Sequence, residues 1–321
     1  MYQQKHGAFQ RLYQQDKLTL GFVLPTERMA KYPIMENQLQ LAQMIEHYGF
    51  AAMWLRDVTI QNLDIDDNGQ MYDLWIYLTY LAAKTKQIAL GTAGVVLPLR
   101  HPVRIAKEAA SIDRLFPGRL IMGVASGDRE LDFTALGVDR PQRGEIFRET
   151  YEFLDRLLKE DNPTIQSNLG DIDGSTMGLI PKPETAIPTM VTGFSQQSLE
   201  WIARHGDGWF QYPRSIEQQE LLVKDYRELT ERYEPGIFKP FSNSLFIDLS
   251  ENPDERPQSI PLGYRLGRYH LLELLQRFQA IGVNHIAFVL YFSHRPPEDV
   301  IQELGEEILP HFPSHQIPVE A

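Results

Sequence analysis

The feature that most constrains this chain is an alternation, repeated eight times, of a short β-rich run with a longer helical pattern. The runs lie at 18–24, 50–55, 88–97, 120–124, 189–192, 208–211, 244–249 and 285–290. Helical spacing follows them, as in Ile105, Ala109 and Ile112 after the third run, or Val300, Leu304 and Ile308 after the eighth. Strands alternating with helices imply parallel strands joined by crossovers. Their near-continuous apolar character implies a sheet covered on both faces. Eight such units favour a closed (β/α)8 TIM barrel over an open doubly wound sheet, within the α/β class. The expectation is one barrel domain over 1–321, with insertions near 161–188 and 250–268. Both are longer than the roughly 4–6 residues of an ordinary connection and read as lids or rim elements.

Composition narrows the function. A net charge of −12 over 321 residues argues against a broad grip on nucleic acid or anionic lipid, since such surfaces need a Lys/Arg excess. The absence of cysteine excludes disulfides, thiolate metal sites and a thiol nucleophile. Residues 1–17 carry no apolar core of a secretory signal, and no run approaches the roughly 18 apolar residues of a membrane span. A soluble cytoplasmic protein is expected. No glycine-rich dinucleotide turn, Walker loop, nucleophile elbow or zinc-protease helix is present. The nine histidines have no metal-ligand spacing, and His47, His205 and His270 read as helix-end residues. Asp64, Asp66 and Asn68 start a calcium-loop pattern, but Trp75 stands where its bidentate Glu belongs, so the segment reads as a solvated acidic turn. No metal site is expected.

A barrel carries its chemistry at the carboxyl ends of its strands. That rim collects Thr26 and Glu27, Arg56 and Asp57, Arg100 and His101, Ser126 to Asp128, Gly193 to Ser198, Tyr212 and Arg214, and Tyr291 to Arg295. In the 192–198 segment, Gly193 permits close approach of a ligand to the backbone. Ser195 is placed to cap the next helix, whose free N–H groups make an anion site. Ser198 falls in that helix's first turn, and an ordinary N-cap explains the same residues. The small residues at 92–94 and 123–127 suit a flat ligand lying against the backbone.

The segments 88–98, 101–103, 112–120, 123–124 and 133–139 resemble the luciferase-like flavin monooxygenase family, and the likeness resumes at 189–211. The resemblance implies a (β/α)8 barrel, usually a homodimer, holding reduced FMN or a deazaflavin at the C-terminal rim. It also implies a small-molecule substrate and a flavin reductase as partner. Residue by residue, it places a non-prolyl cis peptide at Ala93–Gly94 against the flavin ring. Ala125 and Ser126 fall at ring- and phosphate-side positions. Gly193, Phe194, Ser195, Gln196 and Ser198 fall in the phosphate-holding segment. No arginine stands at Ser126, so the phosphate grip is expected to rest on N–H groups and hydroxyls. Arg56, Asp57 and His101 are the polar candidates near the ring, each equally readable as a structural bridge or cap. Val58 stands where light-emitting members carry a catalytic His, so their aldehyde chemistry is not implied. The expected activity is an FMN- and oxygen-dependent monooxygenase. The alternatives are a deazaflavin-dependent dehydrogenase or a flavin-binding protein without turnover.

Overall fold

The computed structural model describes residues 6–24, 35, 37–61 and 72–315. Eight parallel strands form a closed barrel: β1 (Thr19–Leu24), β2 (Ala52–Leu55), β3 (Ala89–Thr92), β4 (Leu120–Ala125), β5 (Thr189–Thr192), β6 (Gly208–Gln211), β7 (Phe241–Leu249) and β8 (His285–Val289). Each pairs with the next, and β8 closes on β1 through Thr19 opposite His285. Side chains alternate across the sheet with period two. Val23, Trp54, Ala89, Ile121, Met190, Phe210, Ala287 and Val289 form the inner cluster. Leu20, Phe22, Leu24, Leu90, Met122, Val124 and Trp209 pack outward with the helices. The short helix Gly7–Leu12 seals the amino-terminal end of the barrel, burying Ala8, Phe9 and Leu12 with the inner cluster. The opposite end is left for ligands.

The expected strands and helices recur with shifted boundaries. The single run at 88–97 is divided: β3 ends at Thr92, and Val95–Val96 pair separately with Val124 and Ala125 of β4. β7 begins at Phe241, three residues ahead of the expected 244, because polar Ser242 and Asn243 are fully buried there. The 161–188 insertion, irregular by sequence, contains a small antiparallel hairpin of Ile165–Ser167 and Gly170–Ile172. Its strands are three residues long and mostly exposed, too short for a readable period. The 250–268 insertion contains the hairpin Gln258–Ile260/Gly263–Leu266, whose second strand adds in parallel to β7. Among the described residues no helix is long and apolar enough to cross a membrane. Thr26, Glu27 and the acidic turn at 64–69 lie outside the described residues.

Candidate cofactor and substrate site

The carboxyl ends of β3, β4 and β5 meet without room for side chains between them. A Cβ on Gly123 would come within 2.0 Å of the Thr92 carbonyl oxygen. One on Gly94 would come within 2.7 Å of the Gly123 backbone and 2.8 Å of Thr192 Oγ1. The Thr92 hydroxyl donates to the Gly123 carbonyl at 2.7 Å, clipping β3 to β4. The Ala93–Gly94 peptide directly after β3 is cis.

Two cavities meet on this peptide. The first, with about 900 Å³ of empty space, is polar and is lined by Ala93, Gly94, Ala125, Ser126, Gly193, Phe194, Ser195 and Gln196 among others. The second, about 890 Å³, lies over the barrel axis and is walled mainly by apolar side chains, with Phe210, Phe246 and Val289 among them. Ala93, Arg56, Thr192 and Tyr212 line both. Eight of the nine residues expected to hold a cofactor thus surround one space. Arg56 and Asp57 border it too.

Ser198 and His101 do not. The helix after β5 spans Leu199–His205, and Ser198 is its N-cap, accepting from the Trp201 amide at 3.2 Å. Ser195, expected to be that cap, instead has a left-handed backbone, φ 47°. Its hydroxyl donates to the Thr192 carbonyl at 2.7 Å and accepts from the Ser126 amide at 3.3 Å, tying the β4 and β5 loops together. His101 caps the helix Pro102–Leu115, and its Nε2 lies 2.8 Å from the Leu169 carbonyl in the first insertion. That ring anchors the rim and is turned away from both cavities.

Asp57 also has a structural task. Arg100 grips its carboxylate with Nε at 2.9 Å and Nη2 at 2.7 Å, and the Val96 amide donates to it at 3.1 Å. Arg100 reaches on to Asp73, the N-cap of the helix Leu74–Lys84. These bonds hold the segment after the cis peptide against the end of β2.

Three charged residues on the lining of the polar cavity, Arg129, Asp132 and Arg143, are not among those expected from the sequence. Arg143, at the start of the helix Arg143–Lys159, lines the polar cavity beside Ser126 and Gln196. Its Nη1 donates to the Arg140 carbonyl, while among the described residues its buried Nε has no partner. It lies 17 positions after Ser126, and only the crossing of that helix over the β4 loop brings the two together. Arg129, by contrast, is held by Asp132 at 3.1 Å. Burial raises the Asp132 carboxyl above its usual range, and Arg129 offsets this only in part. The Tyr212 phenol at the junction is also pushed up, first by burial and then by Asp128, with Arg56 opposing. It holds its proton at neutral pH. Among the described residues no cluster of three or more His, Asp or Glu is arranged to hold a metal ion.

The luciferase-like monooxygenase family model matches residues 18–259. The chain belongs to this family. It is 28% identical over 196 residues to the F420-dependent glucose-6-phosphate dehydrogenase of Kineococcus radiotolerans, covering 60% of this chain and 56% of that protein. It is 29% identical over 138 residues to the oxygenase component of the flavin-dependent trigonelline monooxygenase of Acinetobacter baylyi, covering 42% and 37%. These matches thus span about half or less of each relative's own length. Among solved structures, the monooxygenase RslO1 from Streptomyces bottropensis superposes with a TM-score of 0.76 at 19% identity, covering 92% of this chain and 99% of that one. The family therefore includes oxidoreductases that use flavin and others that use F420.

Proposed function

We propose that the chain is the oxygenase component of a two-component, FMN-dependent monooxygenase, acting on a small organic substrate in the cytoplasm with reduced FMN supplied by a separate flavin reductase. The observation that carries this reading is the meeting of a polar cavity and an apolar one on the Ala93–Gly94 backbone. The residues fit the cofactor. Gly193 has no atom within 4 Å of a Cβ position, leaving open space above the backbone. Among the described residues the Thr192 hydroxyl and Arg143 Nε are buried without partners, and they offer a hydrogen bond and a charge to a phosphorylated ring system. A bound reduced flavin supplies the activation of oxygen.

The chain's own residues do the rest. Ala93 and Gly94 present bare backbone to a ring, and Ser126, Ser195, Gln196 and Arg143 face its phosphate end. Phe194 packs edge-on to Trp209 at 5.3 Å and shields that end. The apolar walls of the second cavity exclude water and hold the substrate next to the ring. Tyr212, kept protonated, is placed to donate a hydrogen bond where the two spaces join.

The test is a titration with FMN and with F420, followed by oxygen uptake with a flavin reductase. FMN should saturate the protein, and uptake should exceed that of free flavin. Saturation by F420 alone, without oxygen uptake, would overturn the proposal in favour of hydride transfer, the chemistry named for the Kineococcus relative. Tight FMN binding without extra uptake would leave only a flavin-binding protein. Arg143→Ala should weaken FMN binding about tenfold or more, because a hydrogen bond to a charged group contributes about 1.5–3 kcal/mol. An unchanged dissociation constant would remove Arg143 from the phosphate site.

The same reading includes a homodimer. Tyr72, Ile76 and Tyr80 stand four residues apart and are 50%, 71% and 45% exposed. Ile76 and Tyr80 lie on one face of the helix Leu74–Lys84, and Tyr72, just ahead of its N-cap, lines the same apolar patch with Met35 and Leu39. Sedimentation equilibrium should find a dimer, and Ile76→Glu should convert it to monomer. A wild-type monomer would sink this part alone.

A further inference from the structure

We infer that the apolar cavity selects a neutral, largely apolar substrate bearing one hydrogen-bonding oxygen, with Leu262 as its lid and Ser244 as the partner of that oxygen. The inference deepens the monooxygenase reading and rests on it for the reaction, though not for the binding. The cavity walls are mainly apolar, Val23, Phe210, Phe246, Val289 and Phe292 among them, with Arg56, Thr192, Gln211 and Tyr212 also on the lining. Ser244 is 6% exposed and lines this cavity from β7. A serine hydroxyl on a wall made mostly of apolar side chains is placed to pair with a ligand oxygen.

Leu262 supplies the second, independent observation. Pro261 and Leu262 form the two-residue turn of the hairpin Gln258–Ile260/Gly263–Leu266. Leu262 has φ 57°, a left-handed conformation that glycine or asparagine adopts at much lower cost than a branched side chain. A turn shaped by folding alone places Gly or Asn at such a corner. Here the corner carries a leucine that is 45% exposed and lines the cavity beside Pro261.

The neighbouring residue explains how the turn is held. A Cβ on Gly263 would come within 1.8 Å of the Phe246 carbonyl oxygen, so the hairpin lies flush against β7. The Phe246 amide also donates to the Leu262 carbonyl at 3.2 Å. Beyond the hairpin, Asp248 at the end of β7 holds Arg265 and His294, each at 2.6 Å. Although burial opposes it, those donors keep the Asp248 carboxyl below its usual range. The clasp joins the hairpin that carries Leu262 to the loop that carries Phe292. An apolar side chain held over an apolar chamber at a backbone cost is the signature of a ligand contact.

Three naphthalene probes separate the elements of this assignment: 2-acetylnaphthalene, 2-ethylnaphthalene and 2-naphthoate. Each is titrated calorimetrically into the protein with and without FMN, so failure of the flavin reading leaves the ring series interpretable. Both neutral rings should bind more tightly than 2-naphthoate. Ser244→Ala should weaken 2-acetylnaphthalene about fivefold and leave 2-ethylnaphthalene unchanged, the loss of one neutral hydrogen bond. Leu262→Gly should weaken both neutral rings about fivefold while the thermal midpoint stays the same or rises, since the turn is relieved. Tighter binding of 2-naphthoate, captured by Arg56, would overturn the neutral class. Unchanged affinity in Leu262→Gly would remove the lid, and equal losses for both rings in Ser244→Ala would remove the oxygen contact. Should the glycine variant not fold, Leu262→Asn provides the same comparison with a residue that tolerates the left-handed corner.

Discussion

Gly123→Ala should cost the protein roughly 3 kcal/mol or more of stability and most of its affinity for FMN. The added methyl would lie 2.0 Å from the Thr92 carbonyl oxygen and 3.3 Å from Thr192 Oγ1. The nearer of these is backbone, so no rotamer change relieves the clash, and β3 and β4 must separate. That movement also breaks the Thr92 hydroxyl bond to the Gly123 carbonyl. It carries Gly94 away from Thr192, widening the floor on which the proposed cofactor ring rests. Urea denaturation reads the first effect and an FMN titration the second. A variant as stable as the wild type would show that the two strands are not in such close contact. A destabilised variant with unchanged FMN affinity would detach the ring from this floor.

Gly123 also shows what the sequence made legible and what it did not. Its place among the small residues at the end of a strand points to a flat ligand, and the eight-unit count points to the barrel face where that ligand belongs. Both readings rest on local pattern: strand period, turn residues and apolar runs. The failures were of a different kind. Ser195 reads as a helix cap because it stands directly between a strand and a helix. The chain instead makes a left-handed turn at Ser195 and Gln196, φ 47° and 59°, and starts its helix at Leu199. His101, which follows β3 and reads from sequence either as a residue near the ring or as a cap, is a cap in the fold. Its side chain is diverted by a carbonyl from an insertion 68 residues away in sequence. Arg143 was overlooked for the converse reason, since a helix after the loop brings it back over Ser126. Asp57 was recognised as polar and near the site, but its bidentate grip on Arg100 depends on packing between β2 and the segment after β3. A weak local signal existed for Leu262, a proline followed by a large residue at a hairpin corner. Its left-handed φ is visible only in the folded chain.

The second large effect is expected at the closed end of the barrel and concerns acid. His285 is fully buried, and burial lowers its pKa from 6.5 to about 3. Its bonding explains why the neutral ring is kept. Trp54 Nε1 donates to Nε2 at 2.9 Å, so Nδ1 carries the proton and donates to Thr19 Oγ1 at 2.8 Å. The Thr19 hydroxyl in turn donates to the Leu12 carbonyl at 2.9 Å, which ties the sealing helix to β1. A second proton on the ring would point at the Trp54 N–H, donor against donor. The unfolded chain therefore binds one more proton than the folded chain between the two pKa values. The histidine's stabilising effect is complete above pH 6.5 and is lost as pH falls toward 3. The slope approaches about 1.36 kcal/mol per pH unit once the unfolded ring is charged, so the loss between pH 6.5 and 4.5 is roughly 2 kcal/mol from this residue alone. Other groups titrate in the same range, so the informative quantity is a difference. Stability measured by urea at both pH values should fall less in His285→Asn than in the wild type, by about that amount. Equal slopes would mean that the ring is protonated in the folded barrel. Trp54 makes the consequence functional: its ring packs on Phe210 with centroids 4.8 Å apart, and Phe210 is a wall of the apolar cavity. Acid that breaks the Trp54–His285 bond should accordingly weaken binding of 2-ethylnaphthalene before the barrel unfolds.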